Sequence, residues 1–413
     1  MAIVAAATAA AAARRRQRPL ATWRDGVLAF LTAPMPPETF LADHYEKAPV
    51  VGLHGEPERF ASLLTLARVD RFLAEADLRG SMVRLANHHS PVPEERYVDA
   101  DGRIDATAVA REYQSGSTIV LNELHESIPE LGAFCRAVEE AFSSQVTTNV
   151  YLTPAGNQGF PPHYDNHDVF VMQVSGRKLW RLWETPVETP YRGERFEQSG
   201  FVAETVSREF VLEPGDCAYI PRGAMHDAEN VGEEPSLHVT VGLFTKKWAE
   251  LVLEAVSELA LAEPAFRRAL PPGFATRDFD RAAAERHFEA LLAAVAEKAE
   301  MDGAFDLLAD TFVRDRRPSV AGVILHGKPR PGDRFRLRPF VPWNVAEDEA
   351  GRIVLVGPGG DLAFDPADGD ALDVALSGEA FAAEDLAGDR GPAVLEALWA
   401  GGYLERIAPS SSS

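Results

Sequence analysis

Cysteine is nearly absent from this 413-residue chain, which has only Cys135 and Cys217. That excludes a disulfide-stapled scaffold and a thiolate cage for a metal, and it points to a reducing, cytoplasmic setting. Positive charge is also scarce: 41 Lys+Arg face 63 Asp+Glu, a formal net charge of −22. A nonspecific grip on nucleic acid or on an anionic membrane is therefore disfavoured, and a basic polypeptide would suit the chain better as a partner. No apolar run is long enough to cross a bilayer. The opening MAIVAAATAAAAARRRQRP carries its arginines after the apolar stretch, the reverse of a secretory signal. What the chain does have is apolar content, 46% hydrophobic over this length, enough for a large core in two or three domains.

The pattern changes along the chain. Residues 1–22 read as a disordered Ala/Arg-rich leader. From there to Phe142 the apolar spacing is mostly helical, with some short strands. Between Gln145 and Phe244 it turns to β: QVTTNVYL, DVFVMQVSG, KLWRLW, REFVL, DCAYIP and SLHVTVGLF are short β-branched and aromatic runs separated by Gly, Pro and Asn turns, as in a sandwich or barrel. Residues 23–245 are thus expected to form one domain with a helical N-terminal part. Helical spacing returns over 246–315, a segment of the kind that makes dimer interfaces. Residues 316–409 alternate short strands with helices, as in a winged-helix-like α+β module, and 410–413 form a flexible tail.

Chemistry concentrates at HYDNH. On an extended chain His163 and Asp165 point to one face, while Tyr164 points away. A third ligand comes from His226 in EPGDCAYIPRGAMHDAEN, where PGD turns, CAYIP runs as a strand and RG turns back toward the interior. Two imidazoles and one carboxylate on a single face suit Fe(II) and leave positions for O2 and a co-substrate. Zinc hydrolysis remains open to the same ligands. His167 shares their face, but its span from His163 along a strand, about 13 Å, is too long for one ion, so it reads as a loop residue near the pocket. His88 and His89 read as an exposed turn.

NVYLTPAGNQGFPPHYDNHDVFVMQVSGRKLW, LEPGDCAYIPRGAMHDAEN and SLHVTVG together resemble the JmjC-type 2-oxoglutarate oxygenases, specifically the ribosomal-oxygenase branch. The resemblance implies a mainly β core with helical additions, a double-stranded β-helix (the jelly roll of cupins). It also implies a helical dimerisation region, a winged-helix-like C-terminal module and a homodimer. As cofactors and co-substrates it implies Fe(II), 2-oxoglutarate and O2, and as activity hydroxylation of a polypeptide side chain, such as one in a ribosomal protein. His163, Asp165 and His226 would be the catalytic metal ligands. Lys178 matches the residue that anchors the far carboxylate of 2-oxoglutarate, with Tyr151 supplying a hydroxyl; Arg177 takes the anchor role if the turn is shifted by one residue. By alternation Asn149 lies beside Tyr151, and His238 beside Thr240, on inward faces.

Two other activities fit the same residues: hydroxylation of a precursor peptide or small molecule on the same scaffold, and non-catalytic cupin-type binding. Direct DNA binding by the C-terminal module is disfavoured by its acidity.

Overall fold

In the computed structural model, residues 22–191, 194, 196, 205–386 and 388–407 are described. The expected leader, residue 22 apart, and the expected tail lie outside them. The chain divides into two compact units at residues 245/246.

The first unit opens with helices α1 (Val27–Thr32), α2 (Leu66–Glu75), α3 (Ala106–Gln114) and α4 (Pro129–Phe142). Each boundary has a local cause. Thr65 caps α2 by accepting from the Arg68 amide, Asp105 caps α3 by accepting from the Thr107 and Ala108 amides, and Pro129 takes the first turn of α4. Leu131, Phe134, Cys135 and Val138 give α4 one buried stripe at helical spacing.

Ten strands follow the lead-in or interleave with it: β1 (Val50–Gly52), β2 (Val83–Ala86), β3 (Thr118–Asn122), β4 (Gln145–Thr153), β5 (Asp168–Ser175), β6 (Lys178–Leu182), β7 (Arg208–Leu212), β8 (Cys217–Ile220), β9 (His226–Asn230) and β10 (Ser236–Phe244). Seven form one antiparallel sheet in the order β1-β8-β5-β10-β4-β3-β2, and β7-β6-β9 form a smaller one. The two sheets pack through Val169, Val171, Ala218 and Ile220 of the larger against Trp180, Leu182 and Leu212 of the smaller. This is the mainly β, two-sheet core expected from the alternation. The sheet begins earlier in the chain than Gln145, however, because β2 and β3 extend its edge. Neither alternates cleanly: four of the five residues of β3 are buried, and β2 is four residues long with Arg84 in it.

The second unit holds helices α5 (Trp248–Ala262), α6 (Ala282–Lys298), α7 (Met301–Arg314), α8 (Gly369–Leu376) and α9 (Gly391–Ala400). Its strands β11 (Arg334–Leu337), β12 (Asn344–Glu347), β13 (Ile353–Val356), β14 (Leu362–Phe364), β15 (Phe381–Ala382) and β16 (Leu404–Ile407) form two three-stranded sheets, β15-β11-β16 and β12-β13-β14. Phe335, Leu355, Leu372, Leu398 and Trp399 are central to its core. The basic stretch 327–338 is engaged locally: Lys328 pairs with Glu396, Arg336 with Glu405, and Arg338 donates to the carbonyls of Gly402 and Leu404.

Candidate metal centre and its cavity

His163 and His226 are brought together by the backbone. Each accepts from the other's amide, at 2.9 and 2.8 Å, in a short antiparallel bridge, and their rings lie 4.6 Å apart. Each Nδ1 faces a carbonyl two residues upstream, Pro161 for His163 and Ala224 for His226, both at 2.9 Å. An imidazole that donates Nδ1–H to a carbonyl has its lone pair on Nε2, the tautomer a metal ligand needs. Asp165 completes the set: one ligand atom from each of the three residues lies within 4.8 Å of the others, and His226 Nε2 is 3.9 Å from an Asp165 oxygen. Among the described residues this is the one such group. Burial opposes charge on Asp165, but the three histidines around it prevail and hold its pKa below the usual carboxylate value. Burial first, then His163, pushes His226 down to about 4, which keeps its imidazole neutral. Two neutral imidazoles and a carboxylate are the donor set for a divalent ion, and these residues fit one.

The three residues open onto a cavity of about 850 Å³. Lys178, at the start of β6, enters it from the smaller sheet and is buried; its Nζ lies 3.1 Å from Thr153 Oγ1, 3.3 Å from His238 Nδ1 and 6.0 Å from the Tyr151 ring centre. Arg177 is instead exposed and pairs with Glu213 at 3.4 Å. Desolvation brings the Lys178 ammonium down to about 7. The β4–β10 register places Tyr151 opposite His238 and Asn149 opposite Thr240, and all four line the cavity. Tyr151 and His238 stack at 4.6 Å, almost parallel. Burial, then the Asp165 charge, pushes the Tyr151 hydroxyl up to about 12, against side-chain hydrogen bonds with Thr240 and Asn149.

Sequence reasoning missed several residues in or behind the cavity wall. Thr153 seats Lys178 and is itself bonded to Thr118 at 3.0 Å; nothing in the sequence signals a pairing across so many residues. Trp180 lines the cavity too, its ring 5.8 and 5.6 Å from those of His226 and His238. Arg84 reaches over Phe160 at 5.0 Å on the cavity wall. His167 is outside the metal group but lines the cavity, stacked on Phe244 at 4.7 Å. His88 and His89 are exposed and do not line it. Among the described lining residues the one carboxylate is Asp165, beside the cations Arg84 and Lys178.

A family model described as JmjC domain matches residues 123–251. Ribosomal oxygenase 1 of Gallus gallus is 31% identical over 309 residues, covering 70% of this chain and 51% of that protein. The Aedes aegypti protein described as bifunctional lysine-specific demethylase and histidyl-hydroxylase NO66 is 31% identical over 310 residues, covering 71% of this chain and 48% of that protein. The chain thus spans about half the length of these curated relatives. Among solved structures, Escherichia coli YcfD, described as a ribosomal oxygenase in complex with cobalt and 2-oxoglutarate, has a TM-score of 0.51 over 91% of this chain and 99% of that one. At 18% identity this is a likeness of fold.

Proposed function

We propose that this chain, which carries a JmjC domain of the ribosomal-oxygenase branch, is an Fe(II)- and 2-oxoglutarate-dependent hydroxylase that acts on a C–H bond of a polypeptide side chain, in a ribosomal protein. The observation that carries this reading is one cavity holding both a two-histidine, one-carboxylate group and a buried lysine. His163, Asp165 and His226 would hold the ion. When bound there, Fe(II) supplies the O2-dependent chemistry that couples decarboxylation of 2-oxoglutarate to hydroxylation. Lys178 anchors the far carboxylate of 2-oxoglutarate, with its ammonium positioned by Thr153 and His238. Tyr151, Asn149 and Thr240 offer further hydrogen bonds, while Val169, Val171 and Trp180 keep the walls dry. With no carboxylate on the described walls apart from Asp165, the cavity suits an uncharged imidazole or amide better than a guanidinium, which would lack a counter-ion. That agrees with the histidyl-hydroxylase description of the Aedes relative.

The test is to incubate the chain with separated ribosomal proteins, Fe(II), 2-oxoglutarate and air, then measure intact masses. One protein should gain a single oxygen atom, and His163→Ala should abolish the gain. If 2-oxoglutarate is consumed but no ribosomal protein is modified, the precursor-peptide or small-molecule substrate moves ahead. If none is consumed, the non-catalytic binding reading does.

The second unit is read as a homodimerisation segment followed by a winged-helix-like module, within a cytoplasmic protein. Val252, Leu253 and Leu261 on α5 and Phe288 and Leu292 on α6 are each more than half exposed, an apolar display that a second copy would cover. Val252→Asp with Leu253→Asp is expected to halve the mass found by light scattering at micromolar concentration. A wild-type chain that is already monomeric would end the dimer reading. Two helices beside the three-stranded sheet β15-β11-β16 support the winged-helix likeness. No helix among the described residues is long and apolar enough to cross a membrane.

A further inference from the structure

Asp168 has no solvent exposure, and its carboxylate is heavily engaged. It accepts from the Tyr219 hydroxyl at 2.6 Å and from the Arg222 guanidinium at 3.2 Å, and the Arg222 amide lies 3.4 Å from it. Arg222 is also nearly buried and forms a second ion pair with Glu46, whose own amide donates to the Tyr219 hydroxyl at 2.8 Å. The group lies behind the larger sheet. Val169 and Val171 line the cavity, so Asp168 and Phe170 face the other way, and Phe170 packs there on Phe40 and Tyr219. None of these groups lines the cavity.

Its position in the chain is what matters. Asp168 opens β5, three residues after Asp165. Arg222 sits in the turn between β8 and β9, four residues before His226. The same turn touches the metal group twice: the Gly223 amide donates to the Asp165 carbonyl at 2.9 Å, and the Ala224 carbonyl accepts from His226 Nδ1. Gly223 itself has φ +83, and a Cβ there would stand 2.1 Å from the Val187 carbonyl oxygen, so the turn admits no other residue without moving.

We propose that the Asp168–Arg222 pair is the positioning device of the metal centre: it fixes the separation of Asp165 and His226 by tying together the two segments that carry them. This rests on His163, Asp165 and His226 holding a metal. Neither residue touches the ion or the co-substrate; they act through the Gly223 and Ala224 backbone. Glu46, joined to the same guanidinium, extends the tie to the lead-in ahead of β1. A buried ion pair contributes little to stability by itself, and the best-attested reason to keep one is to fix a register.

Cobalt(II) alone, added to the full-length chain, is the probe, because its visible absorption reports coordination geometry without any co-substrate. Asp168→Asn is expected to weaken cobalt binding about 10- to 100-fold, the range found for outer partners of metal ligands, and to alter the spectrum. Asp168→Glu, which restores the charge, should recover part of the loss. Arg222→Lys keeps the charge but loses the fork that serves two carboxylates, and carries the same expectation should Asp168→Asn not fold. The thermal midpoint is recorded alongside. A pair that only stabilises the fold would lower the midpoint and leave the affinity and spectrum of the folded protein unchanged, and that result overturns the proposal. A wild-type chain that takes up no cobalt would instead remove the metal centre itself, and the proposal with it.

Discussion

Alanine at His226 is expected to remove the metal and, with it, all 2-oxoglutarate turnover. Outer partners of metal ligands are already worth about 10- to 100-fold in affinity, so loss of a direct ligand should exceed about 100-fold. The effect should be specific, because His226 also holds its place by backbone: its amide and carbonyl bridge to His163 survive the substitution. Anaerobic titration of the Fe(II)-loaded protein with 2-oxoglutarate should show a weak visible charge-transfer band in the wild type and none in His226→Ala. A band that persists in the variant would mean that the ligand set has been drawn wrongly.

Lys178→Ala should retain the metal and raise the 2-oxoglutarate requirement about 100-fold or more, since breaking a buried ion pair costs about 3–5 kcal/mol. The same lysine imposes a pH dependence. The described groups that face its ammonium are His238 from β10 and Thr153 and Tyr151 from β4. Burial, then Lys178 itself, holds His238 well below the usual imidazole value, and Tyr151 is pushed up to about 12, so neither titrates near neutrality. With Lys178 lowered to about 7, the empty cavity holds an ammonium below that pH and a neutral amine above it. A dianionic co-substrate binds the ammonium. Affinity should therefore be full below about pH 7 and fall up to about tenfold per unit as pH rises beyond it, with a proton taken up on binding. Calorimetry in buffers of different ionisation enthalpy measures that proton. An affinity flat from pH 6 to 9 with no uptake would show that the lysine is already charged in the empty site.

The parts of this site that were legible in the sequence are those governed by local rules. Two-residue alternation puts His163 and Asp165 on one face, and the PGD and RG turns return His226 toward them, so the metal group could be drawn before any coordinates. Alternation likewise paired Asn149 with Tyr151 and His238 with Thr240, and the β4–β10 register sets them opposite each other. What escaped depends on the path of the backbone through loops or on partners far away in sequence. The carbonyls of Pro161 and Ala224 that orient the imidazoles have no side-chain signature. Asp168 reads as an ordinary polar position at the start of a strand; only the fold brings Tyr219 and Arg222 to it. Strands β2 and β3 were not legible because one is short and charged and the other is buried on both faces, so neither shows a period of two.

Strand β10 has a consequence for how the protein is made. It lies between β5 and β4 in the larger sheet, pairs with both, and brings His238 and Thr240, yet it is the last strand of its unit to leave the ribosome. Until Phe244 has emerged, β4 and β5 have no common neighbour and the cavity has one wall missing. Strands β4 and β5 must therefore each wait with one unpaired edge in the nascent chain, and the cavity is completed only late in its synthesis.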